Sequence, residues 1–318
     1  MASSGVEVIQ YLVDTRGLWP AATKTSDLET EASRPLALLT QDERTRVLKY
    51  YFVADAKMAL ASHLLKHWVV SKYGGVPWRE TTLSADANGK PVFRDGAGRQ
   101  PVVFNVSHQA GLVALVAAHG YDGGDSSGVQ LGVDVVCVSE RAERDQRMIR
   151  TEGWGKFVDM HADVFGRTEA AYLKNGLGAL PAYAALRTED DRGAYRLRAF
   201  YTLWCLREAY VKMTGEALLA AWLGDLVFRG FAPPAPGAAF AQSERDGPAQ
   251  VLRRHDVVFQ GARVDDANIC IRALGPDYMT CTAVRTPARK SDALGWELGP
   301  FAFLTVDEIV AHGESTSA

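Results

Sequence analysis

Apolar runs of two periods divide the chain. Val6–Val13 alternates apolar and polar positions, which predicts a first strand. Gln41–Tyr73 is long and free of Pro and Gly, and Leu60, Leu64 and Trp68 repeat on one face with Leu65 and Val69 beside them, so one long helix is expected. In Val102–His119 two runs rich in β-branched residues flank Asn105, Ser107, His108, Gln109 and Gly111, the pattern of strand, polar turn, strand. Leu131–Val138 reads as a short buried strand interrupted by Asp134. Phe200–Gly215 reads as a helix with Gly215 at its C-cap. Strands follow near Val251–Phe259, Asn268–Ala273 and Tyr278–Arg285.

The Gly- and Ser-rich segment Gly120–Gly128 is the best internal boundary. It divides the chain into an N-terminal subdomain, 1–128, and a C-terminal subdomain, 129–318. The expected class is α+β: two similar α+β subdomains in pseudo-two-fold arrangement, each a small mainly antiparallel sheet packed on a long helix. Phe231–Gly247, rich in Pro and Ala, reads as a loop, and the tail beyond Gly313 as disordered.

A net charge of −3 argues against non-specific nucleic-acid binding, which needs a basic face. The four cysteines (Cys137, Cys205, Cys270, Cys281) form no CxxC pair and lie in apolar or helical runs, so buried free thiols and a reducing compartment are expected. The N-terminus lacks a basic start and a long apolar stretch, unlike a signal peptide, and no segment approaches the roughly 20 apolar residues that span a bilayer. A cytoplasmic protein without membrane or nucleic-acid partners is the expectation.

Four places carry candidate chemistry. Asp134 interrupts an apolar strand, where an unpaired charge costs several kcal/mol, so a metal, a cation or a backbone amide must meet it. Trp204, Glu208 and Lys212 are successive i, i+4 neighbours on one helix face, a pattern that a solvated ion pair also produces. His108 follows Ser107 at the end of a strand, as a surface residue or a hydrolase fragment also would. On one continuous helix Arg46, Lys49 and Lys57 project from roughly the same side, either as its wet face or as an anion site.

In order, FNVSHQ (104–109), GVD (132–134) and WCLREAYVK (204–212) resemble the three motifs of the 4′-phosphopantetheinyl transferases. The third matches W-x-x-K-E-[SA]-x-x-K, with Arg207 where Lys is usual. The resemblance runs from about Tyr50 to Leu219 and is closest to the large monomeric, surfactin-synthetase-activating type, especially its fungal members. It implies the pseudo-two-fold fold just described, a monomer, and Mg²⁺-dependent transfer of 4′-phosphopantetheine from coenzyme A to a serine of apo acyl or peptidyl carrier protein domains. Those domains belong to fatty acid synthase, polyketide synthase, nonribosomal peptide synthetase or aminoadipate reductase.

Carried onto this chain, the resemblance makes Asp134 and Glu208 the metal ligands. Glu208, Lys212 and His108 become catalytic, with Glu208 the first choice of base. Arg46, Lys57, Lys90, Ser107, His108 and Lys212 contact coenzyme A: Arg46 and Lys57 the 3′-phosphate, Lys90 in Gly-Lys-Pro the adenine end. Phe157, Phe165, Tyr172 and Glu169 fall in a segment that either docks the carrier or simply packs. Relatives with Asp-x-Glu in the second motif have a third carboxylate; here Val136 stands there, and water or Gln109 is expected to take the position. Two rival functions fit the same residues. A Mg²⁺-dependent hydrolase of coenzyme A or a nucleotide pyrophosphate needs no protein acceptor, and a non-catalytic coenzyme A-binding module needs no Asp134–Glu208 pair.

Overall fold

The computed structural model describes residues 6–216, 222–237 and 250–317. The principal elements are β1 (Glu7–Asp14), α1 (Gln41–Leu48), α2 (Val53–Gly74), β2 (Val102–Gln109), β3 (Leu112–His119), β4 (Gln130–Cys137), α3 (Ala142–Glu152), α4 (Glu189–Thr214), β5 (Val251–Leu252), β6 (Ala267–Leu274), β7 (Tyr278–Arg285), β8 (Ala302–Phe303) and α5 (Val306–Thr316). One sheet has the order β8-β1-β3-β2 and a second the order β4-β7-β6-β5. All pairs are antiparallel except β1–β8. The α+β class and the mainly antiparallel sheets expected from the sequence are therefore present.

Each sheet covers one long helix. Leu60, Leu64, Leu65, Trp68 and Val69 of α2 pack with Val113, Leu115 and Ala117 of β3. Leu203, Cys205, Leu206, Ala209 and Met213 of α4 pack with Val136 of β4 and with Ile271, Met279 and Cys281 of the second sheet. A third cluster joins the backs of the sheets: Leu112, Ala114, Val116 and Ala118 of β3 meet Leu131, Val133, Val135 and Cys137 of β4. Strands buried on both faces need apolar residues at both parities, which is why β3 and β4 read as unbroken apolar runs. All four cysteines are buried and unpaired. No described helix is long and apolar enough to cross a membrane.

Three expectations change. The helix expected over Gln41–Tyr73 is two helices, α1 and α2, separated at Lys49–Phe52. Tyr50, Tyr51 and Phe52, aromatics of modest helix propensity, are exposed at the break. α1 has its own capping box between Thr40 and Glu43. Arg46, Lys49 and Lys57 thus do not lie along one helix. The last residues also leave the C-terminal subdomain: β8 pairs with β1, and Val306, Ile309 and Val310 of α5 join the α2 core. Their apolar side chains complete that core, so helix rather than disorder extends to Thr316. The loop read at Phe231–Gly247 lies outside the described residues from 238 on, as does Leu219.

Side-chain bonds also join the halves. β2 and β4 belong to different sheets, yet alternate side chains of β2 reach across. The Asn105 Oδ1 accepts from the Val133 amide at 2.9 Å, and the Gln109 Oε1 accepts from the Cys137 amide at 3.2 Å. Within the C-terminal half, α4 meets β4 at Gly132, where an added Cβ would lie 2.2 Å from the Ala209 carbonyl oxygen and 2.4 Å from the Met213 nitrogen. Only glycine allows so close an approach of strand and helix backbones.

Arg207 and Trp204 are structural. The Arg207 guanidinium, fully buried, donates to Glu169 at 2.6 Å and to the Leu226 carbonyl at 2.6 Å. Glu169 also accepts from the Gly166 and Phe228 amides. Trp204 stacks with Phe200 and meets Phe165 and His161 edge-on, so its packing partners are these aromatic rings. Phe157 and Phe165 are buried in the same cluster, which settles their alternatives toward packing.

Gly132→Ala is expected to lower stability by about 3 kcal/mol or more, because backbone atoms on both sides leave nothing to yield. Urea denaturation checks it; an unchanged midpoint would mean that the contact is not close in solution.

Candidate functional site

The alternation of β4 puts Gly132, Asp134 and Val136 on the face beneath α4. Gly132 sets the helix down on the strand, Val136 enters the α4 core, and Asp134 is left between them. On α4, Glu208 and Lys212 sit one turn apart on the side that overlies the strand. The Lys212 ammonium donates to Asp134 Oδ1 at 2.8 Å and to Ser107 Oγ at 2.9 Å, and Ser107 donates to the same Oδ1 at 2.9 Å. Asp134 is 5 % exposed, so this cation is the partner its burial demands.

The electrostatics follow from burial. Burial works against the charge on Lys212, but Asp134 and Glu208 prevail and hold its ammonium above the ordinary lysine value. Burial raises the Glu208 carboxyl; Lys212 opposes this and Asp134 adds to it. His108 keeps a solvent-exposed edge although protein crowds the ring, and burial followed by the charge of Lys212 holds it below the ordinary imidazole value.

A cavity of about 400 Å³ opens beside this cluster, lined by Tyr50, Ser62, His63, Lys66, Ser107, His108 and Lys212, among others. Its charged and imidazole groups are all potential cations. The structure thus brings Ser107, His108, Asp134, Glu208 and Lys212 together. It does not bring Lys57 to the cavity wall; the Lys57 Nζ donates to the Trp19 carbonyl at 3.0 Å. Arg46 is exposed on α1. Lys90 lines a separate cavity of about 290 Å³ with Asn88, Arg94 and Gln100, where its Nζ donates to the Leu131 carbonyl at 2.9 Å and the Lys212 carbonyl at 3.3 Å. Burial pushes its ammonium down to about 8.

Gln109 does not stand in for the missing carboxylate, because its oxygen is committed to the Cys137 amide. Val136 is 2 % exposed in the core. Among the described residues no group of three or more His, Cys, Asp and Glu side chains could hold a metal. The sequence reading also missed His63, Lys66 and Glu43. The available signal was the interruption of a buried helix by His63, Lys66 and His67 beside the small residues Ala59 and Ser62.

Because Glu208 is raised, the native state binds its proton more tightly than the unfolded chain, so stability falls as pH rises through the window above the ordinary carboxylate value. Glu208→Gln is therefore expected to melt higher than the native sequence at neutral pH, with the difference vanishing as the pH falls toward 4. Thermal melts across pH check this; a variant that melts lower at neutral pH would show that the carboxylate is stabilising.

The chain matches the family model described as 4′-phosphopantetheinyl transferase, N-terminal, over residues 26–120, and that of the 4′-phosphopantetheinyl transferase superfamily over residues 130–265. It is 43 % identical over 316 residues to 4′-phosphopantetheinyl transferase 1 of Fusarium mangiferae, covering 99 % of this chain and 98 % of that one. It is 35 % identical over 313 residues to 4′-phosphopantetheinyl transferase of Aureobasidium melanogenum, covering 86 % and 90 %. Against 4′-phosphopantetheinyl transferase NpgA of Emericella nidulans it is 34 % identical over 301 residues, covering 89 % and 84 %. With a relative at this identity matched end to end, and with the three motifs converging on one buried cluster, the chain belongs to the 4′-phosphopantetheinyl transferase family.

Proposed function

We propose that the protein transfers 4′-phosphopantetheine from coenzyme A to a serine of an apo carrier protein domain, using the Asp134–Glu208–Lys212 cluster. The observation that carries the reading is the Lys212 ammonium held on Asp134 and Ser107 at the edge of a cavity with cationic walls. In the reaction the carrier serine Oγ attacks the pantetheine-side phosphorus of the coenzyme A pyrophosphate. The bridging P–O bond breaks and adenosine 3′,5′-bisphosphate leaves with the bond's electron pair.

Lys212 and His108 face the cavity and are assigned to the pyrophosphate oxygens, where the Lys212 ammonium as a fixed cation and an imidazole N–H of His108 as a hydrogen-bond donor stabilise the charge that develops. Glu208 takes the serine proton. Burial raises its basicity for this task, which an exposed carboxylate would perform less well. Asp134 and Glu208 fit Mg²⁺ as a two-carboxylate set, since this ion takes few protein ligands and fills its shell with phosphate and water oxygens. Bound there, Mg²⁺ would neutralise charge on the phosphate oxygens. The remaining assignments are Ser107 to the phosphate side, Lys90 to the adenine end, and Arg46 near the 3′-phosphate. A cytoplasmic monomer that serves carrier domains of fatty acid synthase, polyketide synthase, nonribosomal peptide synthetase or aminoadipate reductase completes the proposal.

Incubation with coenzyme A, Mg²⁺ and an apo carrier domain, read by intact mass, is expected to show the carrier gain one phosphopantetheine. Asp134→Asn and Glu208→Gln should each lower that turnover by about two orders of magnitude or more while the fold stays intact. Cleavage of coenzyme A with no modified carrier would point to a hydrolase, and near-native turnover by Asp134→Asn would contradict the site.

A further inference from the structure

Lys212 lies in the last turn of α4, and that turn is closed from two sides. Gly215 adopts positive φ and donates its amide to the Val211 carbonyl, as a glycine just past a helix end does. The Lys212 carbonyl belongs to the same turn, where helix carbonyls lack amide partners and the helix dipole gathers negative charge. It accepts from Lys90 Nζ at 3.3 Å, and the same Nζ donates to the Leu131 carbonyl at 2.9 Å. Leu131 directly precedes Gly132. One ammonium from the N-terminal half thus ties the end of α4 to β4 beside the point where their backbones meet.

A tight hairpin delivers that ammonium. Ser84 and Ala85 pair with Val92 and Pro91, and in the turn between them Asp86 Oδ1 accepts from the amides of Asn88 and Lys90, both at 2.9 Å. Gly89 completes the turn with a φ of 80°. Burial pushes the Lys90 ammonium down to about 8, and the charge of Asp86 opposes it. Arg94 is the other charged residue on the wall of this cavity; β4 and α4 line it with the uncharged Gln130, Leu131, Met213 and Thr214. The two carbonyls offset part of the cost of holding a charge there.

We infer that Lys90 is a positioning residue for Lys212, its ammonium holding the turn of α4 that sets the Lys212 side chain on Asp134. The inference rests on the transferase reading above and deepens it. The carbonyl that Lys90 binds and the ammonium that meets Asp134 and Ser107 belong to one residue. A shift of the turn carries the Lys212 ammonium with it, and contacts of 2.8 and 2.9 Å leave little slack. This role is separate from a contact with the adenine end, because two of the three Lys90 ammonium donors are committed to protein carbonyls.

Steady-state modification of an apo carrier domain by the full chain, with coenzyme A varied and each fold verified by circular dichroism, tests the role. Lys90→Met keeps the main chain and the aliphatic stem and removes the charge; Lys90→Gln gives the same comparison if the Met variant folds poorly. At pH 7, Lys90→Met is expected to lower kcat by about tenfold or more and to leave KM for coenzyme A within about threefold. Native turnover should also fall between about pH 7 and 9 as Lys90 loses its proton, and Lys90→Met should show no such fall. His108, held low, and Lys212, held high, change charge outside that interval. A native kcat in Lys90→Met, a raised KM with kcat kept, or the same pH profile in both proteins would overturn the inference while the transferase reading stands on carrier modification. A native protein that modifies no carrier would overturn both.

Discussion

The site depends on one close approach. Where α4 crosses β4, the absence of a side chain at Gly132 lets the helix backbone rest on the strand. That contact fixes the height of Glu208 and Lys212 above Asp134, two residues further along the strand. Any larger residue would lift the helix and separate the charges, so a packing constraint and a chemical one fall on the same short motif. The glycine supplies distance, the aspartate charge, and the residue between them packs on the opposite face with Leu131 and Val135.

The cost of burying Asp134 explains the next layer. Lys212 and Ser107 both converge on one carboxylate oxygen, which links three motifs from three strands and helices into one hydrogen-bonded unit. The neighbouring residues of the first motif do mechanical work for that unit. Asn105 and Gln109 hold β2 against β4 by side-chain bonds to backbone amides, where no sheet ladder joins the two strands. Ser107, between them on the same side of β2, is thereby set at the height of Asp134.

Much of this was legible in the sequence because its signals are local. Asp134 within an apolar strand, the i, i+4 spacing of Glu208 and Lys212, and the polar residues at the end of β2 all announce themselves in single segments. The turn between β2 and β3 is tighter than the polar run suggests: Asn105–Gln109 belong to β2, and only Ala110 and Gly111 turn, both at positive φ as a two-residue hairpin requires. What failed was less local. The break between α1 and α2 is hidden because helical periodicity continues across it, so Lys57 was credited with a reach it lacks. Gln109 looked like a spare ligand because its amide partner, Cys137, is 28 residues away. Lys66 was invisible because only the cavity between α2 and β2 gives its position meaning. The return of β8 and α5 to the first subdomain is set by an apolar core that no short segment reveals.

The central claim is that Asp134 and Lys212 act as one unit, and a double-mutant cycle on carrier modification tests it most directly. Turnover would be measured for the native protein, Asp134→Asn, Lys212→Met and the double variant, with each fold verified by circular dichroism. If the pair is one unit, the double variant should be about as slow as the slower single variant, because either change already dismantles it. Losses that multiply, so that the double variant falls by the product of the two single effects, would show two independent contributions and contradict the account.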